Sequence, residues 1–298
     1  MRVSLGLLFF VAISAPLVSQ AGPLECTNWQ QQHPEWIWCD DFETDSALER
    51  DYFDVDRQAG RFGVDNQSAA FGGTGSLKAT YQTGVQDAGG VKLSFGRTTV
   101  SPARLTTVDF DDVYWRFYMK LSSNWTGNAM KLSRGTIFVA SNWSQAAIGH
   151  VWEGDSLNLG LDPVSGVVGS TVRTTKYNDF DNMQWLGKRD GATQIYAAAN
   201  VDKWICIETR MKLNTPGSSN GEMSLWVDGQ LDAQASNLNF RGSYTGYGIN
   251  SIMIENYVNS GAPRIQSRSF DNFVVSRTRI GCGATVVRPS PPTNVRTN

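Results

Sequence analysis

One hairpin, over residues 204–230, constrains the fold more than any other stretch of this 298-residue chain: WICIETRMKLNTPGSSNGEMSLWVDGQ. Ile205, Ile207, Thr209, Met211 and Leu213 alternate with Cys206, Glu208, Arg210 and Lys212. A period of two puts the first set on one face of a β-strand. The run NTPGSSNG then supplies a proline that presets φ, and glycine and asparagine that tolerate positive φ, so the chain turns. Met223, Leu225 and Val227 resume the alternation up to Asp228-Gly229, a dipeptide suited to a second tight hairpin turn. Two antiparallel connections are written into fewer than thirty residues.

Similar signals recur along the chain with Gly, Asn and Asp clusters between them, the pattern of an all-β sandwich. Strands are expected near 39–43, 76–82, 90–95, 112–121, 136–140, 147–152, 156–161, 170–177, 204–213, 222–227, 251–256 and 270–276, and a helical turn near 194–200. Residues 1–21 carry one positive charge, an apolar run and a small-residue Ser19-x-Ala21 end, which reads as a secretory signal peptide. One domain is then expected over 22–284 and a disordered, proline-rich tail over 285–298. The exported product, secreted or periplasmic, carries no further span of membrane length and is expected to act as a monomer.

The formal net charge of −2 leaves no basic face for nucleic acid. An anionic polymer would have to be held by local cations. Four cysteines in an exported chain imply two disulfides. Cys26 with Cys39 is one possible pair and Cys39 with Cys282 a rival, and spacing does not choose between them. Sequons stand at Asn66, Asn124 and Asn142.

The wording W-x-C-x-E, K-L-N-T-P-G and L-W-V-D-G, with DDFE near the start and FDNFVVSRTRIGC near the end, resembles the concanavalin A-like and laminin-G-like sandwiches. Within them it resembles the jelly-roll polysaccharide lyases of the alginate, glucuronan and heparin lyase kind. The resemblance implies a jelly-roll β-sandwich of two antiparallel sheets. It also implies β-elimination on an acidic, uronate-containing polysaccharide and no organic cofactor. Under it, the pairing of Cys39 with Cys282 would join first and last strands that lie side by side.

Elimination needs three groups: a cation or amide to neutralise the uronate carboxylate, a base for the C5 proton, and an acid for the departing oxygen. The strand DDVYWRFYMKLS offers alternating aromatics and cations on one face, Tyr114, Arg116, Tyr118 and Lys120, suited to pyranose rings and carboxylates. Lys131 and Arg134, in KLSRG, partly match a Lys-Leu segment that enters the cleft of the resembled lyases. His150 is a natural base, though a lone histidine on a strand is as easily a packing residue. Tyr257, sharing a strand face with Glu255, is the candidate proton donor, with Tyr196 as its rival. Arg116, Lys131, His150 and Tyr257 thus form the expected catalytic set. Tyr114, Tyr118, Lys120, Arg134 and Glu255 form the expected binding set.

Asp41, Glu43 and Asp271, with Asp40 and Asn272 beside them, are candidate oxygen ligands for a structural calcium. The E-x-D-x-E strand motif of sandwich glucanases is missing, which disfavours hydrolysis by paired carboxylates. Two rivals keep the fold and drop the lyase: a carbohydrate-binding, lectin-like or adhesive sandwich, and an envelope or matrix protein.

Overall fold

The computed structural model describes residues 24–68, 70–127 and 130–283; the expected signal peptide and the expected tail lie outside them. In chain order the strands are β1 (Trp36–Asp40), β2 (Asp54–Asp56), β3 (Phe62–Asp65), β4 (Ser76–Tyr81), β5 (Asp87–Ser94), β6 (Asp112–Leu121), β7 (Lys131–Phe138), β8 (Gln145–Glu153) and β9 (Leu159–Ser165). They continue as β10 (Val167–Val168), β11 (Thr171–Val172), β12 (Gln184–Trp185), β13 (Arg189–Asp190), β14 (Trp204–Lys212), β15 (Gly221–Val227), β16 (Gln230–Leu238), β17 (Ser251–Tyr257) and β18 (Gln266–Ser276). Short helices α1 (Trp29–Gln32) and α2 (Asp45–Asp51) flank β1.

Two eight-stranded antiparallel sheets face each other, a jelly-roll sandwich. The first runs β16-β15-β14-β6-β18-β4-β3, with β1 on β18. The second runs β12-β9-β8-β7-β17-β5-β2, with β13 on β9. The 204–230 hairpin is β14 and β15, paired from Ile207↔Val227 to Lys212↔Glu222. Asp228 and Gly229 both take positive φ, 47° and 81°, and return the chain into β16.

Alternation sets the core. On β6, Val113, Trp115, Phe117, Met119 and Leu121 point inward and meet Met211, Met223 and Leu225 of their own sheet and Leu132, Ile137, Ile252 and Ile254 of the other. Side chains of the first sheet press against a glycine pair of the second, Gly135 on β7 opposite Gly149 on β8. A Cβ on Gly149 would lie 2.9 Å from Met223 Sδ, and one on Gly135 would lie 3.3 Å from Trp115. Glycine there brings the outward-pointing neighbours, Arg134 and His150, down against a packed floor.

Cys26 pairs with Cys39, and Cys206 with Cys282, so the local pairing holds and the rival Cys39–Cys282 does not. The second bond ties β14 to the segment after β18, beside Glu208. That buried carboxylate accepts from the Ile280 and Gly281 N–H groups, at 2.7 and 3.1 Å. Glu208 is therefore a framework residue.

Some boundaries differ from expectation. The first strand sits at Trp36–Asp40, a few residues early, and β2, β3 and β16 carry no clear alternation. The expected strand at 170–177 shrinks to β11. Its second half is a loop held by local polar bonds that compete with a ladder. Asp179 accepts from Thr175 N and Oγ1 and from Asn182 Nδ2, at 2.8, 3.0 and 3.0 Å.

The acidic residues chosen for calcium split into two groups. Both Glu43 oxygens accept from the 74–75 backbone, including Thr74 N at 2.9 Å and Gly75 N at 3.0 Å, so Glu43 anchors that loop and leaves the set. Asp271 accepts from Phe71 N, Gly72 N and Asn272 N. Asp41 accepts from Cys26 N through one oxygen only. Its other oxygen, like Asn272 Oδ1, is a buried acceptor without a donor. Burial, reinforced by neighbouring carboxylates, pushes Asp41 up to about 6 and Asp271 up to about 8.

Candidate active site

The outer face of the second sheet carries a cleft of about 270 Å³ over β5, β17 and β7. Lys92, Lys131, Tyr177, Asn178, Glu255 and Tyr257 line it, with Asp56 and Asp87 at its β2–β5 side. Strand register explains the gathering. Tyr257 on β17 stands opposite both Asp87 on β5 and Lys131 on β7, and Lys131 stands opposite Trp152 on β8. One step along, Lys92, Met253, Arg134 and His150 form a second row across the same four strands.

Arg134 is wholly buried beneath the cleft. Its Nη2 pairs with Glu255 Oε1 at 2.8 Å and donates to the Tyr177 hydroxyl. Its Nη1 donates to Asn178 Oδ1 at 2.7 Å, and its Nε faces Met253 Sδ at 3.2 Å. A guanidinium only donates, which fixes both neighbours. Asn178 must turn its oxygen to Arg134 and its amino group away, and the Tyr177 proton is left to a weak thioether acceptor, Met253 Sδ at 3.9 Å. Asn178 takes positive φ, 53°, which asparagine tolerates. Its N–H donates to the buried Gln145 Oε1 at 3.0 Å, which pins the loop to β8. Burial pushes the Tyr177 phenol up to about 12, with Arg134 acting against it.

Lys131 is half-buried, its Nζ 4.6 Å from the Tyr257 ring centroid and 5.6 Å from that of Trp152. Burial holds its ammonium below the ordinary lysine range; Glu255 pulls the other way and Arg134 adds to the lowering. Tyr257 donates to Gln86 Oε1 at 2.9 Å at the rim.

His150 lies on the same sheet face as these groups but underneath them. Its ring is fully buried against Trp152, 3.9 Å between centroids, with Phe180 and Trp185 beyond. Nδ1 sits 2.8 Å from the Asp162 carbonyl, which can only accept, so Nδ1 carries the proton. Burial, then Arg134, pushes its pKa well below the ordinary histidine value, and the ring is neutral. It supports the aromatic wall and does not line the cleft.

Arg116 is the main correction. β6 belongs to the first sheet, and the face holding Tyr114, Arg116, Tyr118 and Lys120 is that sheet's outer face, away from the cleft. The N-terminal segment, stapled by Cys26–Cys39, covers it: Glu25 pairs with Arg116, Oε2 at 2.9 Å from Nη1. Phe71 stacks on Tyr118 at 3.6 Å, Trp226 lies against Tyr114, and Lys120 pairs with Asp202 at 2.7 Å. Tyr196, the other tyrosine weighed as proton donor, is buried in the core. Sequence reasoning found Lys131, Arg134, Glu255 and Tyr257 on the cleft side and missed Tyr177, Asn178 and Lys92. The signal for the first two was the KYND run with its turn-forming Asn and Asp.

The pairing of Arg134 with Glu255 carries an energetic expectation. Arg134→Met, which strands the partly buried Glu255 carboxylate, lowers unfolding free energy by about 3 kcal/mol, and adding Glu255→Gln recovers part of the loss. Urea denaturation of the two variants checks it, and a single-variant loss below about 1 kcal/mol contradicts the compensated pair.

Residues 192–261, from just before β14 to just past β17, match the family model described as polysaccharide lyase 14. No curated protein matches the chain in sequence. Among solved structures, a marine PL-14 alginate lyase from Aplysia kurodai superposes with a TM-score of 0.56 at 13% identity, covering 80% of this chain and 98% of that one. The alginate lyase Aly36B gives 0.51 at 10% identity, over 88% and 98%. An endo-β-1,4-glucuronan lyase from Trichoderma reesei gives 0.48 at 13%, over 87% and 94%. The chain thus shares its fold with the two alginate lyases, and the segment that matches the polysaccharide lyase 14 model includes the strand bearing Glu255 and Tyr257.

Proposed function

We propose that this protein is an exported polysaccharide lyase that cleaves a uronate-containing polymer by β-elimination in the cleft over β5, β17 and β7. The observation that carries the reading is the buried Arg134, which orients Asn178 and Tyr177 toward a space also lined by a lysine held below its ordinary range. The lyase segment and the two disulfides support it.

The chemistry follows from the donors. The Asn178 amino group, backed by the Arg134 charge, receives the uronate carboxylate and makes the adjacent C5 proton more acidic. Lys131 Nζ, once unprotonated, takes that proton. The electron pair forms the C4–C5 double bond, the C4–O bond breaks, and the departing oxygen receives the Tyr177 proton. Tyr257 walls Lys131 and sets the sugar plane at the rim.

A structural calcium would be held by the donor-free buried oxygens Asp41 Oδ1 and Asn272 Oδ1, with the Asp271 carboxylate beside them. The ion would fasten the N-terminal segment to β18, remote from the chemistry. A chelator should then lower the Tm and calcium restore it, in the wild type and not in Asp41→Asn; an unmoved wild-type Tm removes the ion.

Incubation with alginate, glucuronan, heparin and pectate, followed by ultraviolet absorbance of the unsaturated uronate, tests the activity. A rise is expected with at least one polymer, and silence across the panel overturns the lyase. Lys131→Met and Tyr177→Phe should each cut turnover by about 10²–10⁴-fold. The base must be unprotonated, so the rate should climb with pH to a midpoint below the 10.5 of an ordinary lysine. A pH-independent rate contradicts Lys131 as the base.

A further inference from the structure

Beyond the cleft, the same sheet face continues as an aromatic strip. Trp152, whose ring contacts Lys131, is followed by Phe180 and Trp185, with ring centroids 6.1 Å apart for Trp152–Trp185 and 5.6 Å for Phe180–Trp185. Trp185 sits on β12, paired through Val164 to β9 at the sheet edge. It is 44% exposed, whereas Trp152 and His150 beneath it are buried. A large indole in water costs free energy unless something covers it. This one is also held in place: His150 lies 5.9 Å away at 26°, Phe180 packs beside it, and Leu186 N donates to Pro163 O at 2.9 Å.

We infer that Trp185 is a sugar-stacking platform, binding a pyranose ring of the same polymer beyond the one at the cleft. The inference rests on the proposed lyase cleft, since Trp152 is the wall the two places share. A pyranose offers a face of C–H groups whose slight positive charge suits the indole π-face, and the flat partner needs no carboxylate. The surroundings suit a polar ligand rather than a protein core: Lys188 beside Trp185 is tied to Asp155 at 2.5 Å and Asp190 at 3.3 Å, a wet, charged rim.

Distance makes the idea specific. Lys131 Nζ is 5.6 Å from the Trp152 ring and Trp152 is 6.1 Å from Trp185, so Trp185 lies within about 12 Å of Lys131 with Trp152 between them. A sugar stacked there is a neighbour, in the same polymer, of the one at the cleft. Trp185 therefore governs length preference and leaves the chemical step alone.

Native gels loaded with alginate or glucuronan report binding whether or not turnover occurs, and disaccharides of each polymer, which span the scissile bond alone, report the cleft by itself. Trp185→Ala should lose retardation by the wild type's preferred polymer, about a tenfold weakening. It should keep the wild-type circular dichroism and disaccharide kcat/KM, and Trp185→Phe should retain most of the retardation. If the wild type is retarded and Trp185→Ala migrates identically, the platform is wrong while the lyase cleft stands. If Trp185→Ala loses disaccharide turnover equally, Trp185 belongs to the cleft's packing and the inference falls. If no polymer retards the wild type, the platform falls together with the cleft that it extends.

Discussion

A single buried cation organises the functional face. Arg134 has no exposed surface, and an uncompensated guanidinium there would be prohibitive. Glu255, Tyr177 and Asn178 each take one of its donors, drawn from β17 and from the loop after β11. The cost of burial is thus offset by the groups that line the cleft. The same bonds that stabilise Arg134 settle which way the Asn178 amide points and leave the Tyr177 hydroxyl with a proton to donate. Preorganisation of this kind lets a cleft act on charge as it develops, without rearranging.

The floor beneath that cation comes from the opposite sheet. Gly135 and Gly149 let Met211, Met223 and Trp115 press against β7 and β8 from behind. Trp115 Nε1 also donates across the sandwich to Ser133 Oγ at 3.1 Å. With the backbone of both strands fixed, the side chains that alternate outward are placed by register alone. Arg134 falls opposite His150, and Lys131 opposite Trp152. The first sheet, in contrast, spends its outer face on packing. Glu25, Phe71 and the disulfide-held N-terminal segment cover Arg116 and Tyr118, so that face is structural.

Much of this was legible in the chain. The 204–230 hairpin, an all-β sandwich and the outward set on β17 follow from period-two alternation and turn residues, and the jelly-roll arrangement from the family resemblance. Lys131 and Arg134 were found through the KLSRG wording. Alternation says that Arg116 and Val113 face opposite ways, but it cannot say which sheet β6 joins or what lies over it. Long-range packing by Glu25, ninety-one residues away, decided that point. His150 shows the same limit. Its alternation with Ile148 and Trp152 is correct, yet whether the outward face is open depends on Phe180 and Trp185, which arrive from a loop. Tyr177 and Asn178 escaped because their segment looked like a strand. Thr175 and Asp179 turned it into a cleft wall through short-range hydrogen bonds, and Thr174 Oγ1 ties it to the Gln145 carbonyl on β8.

The direct test of a uronate held between Lys131 and the Tyr177–Asn178 pair is a crystal structure of the Tyr177→Phe variant with a uronate tetrasaccharide of the polymer it binds. The account predicts density along the second sheet's outer face, with a carboxylate within hydrogen-bond reach of Asn178 Nδ2 and its C5 turned to Lys131 Nζ. An oligosaccharide seated elsewhere, or a carboxylate pointing to solvent with Lys131 out of reach of C5, would contradict it.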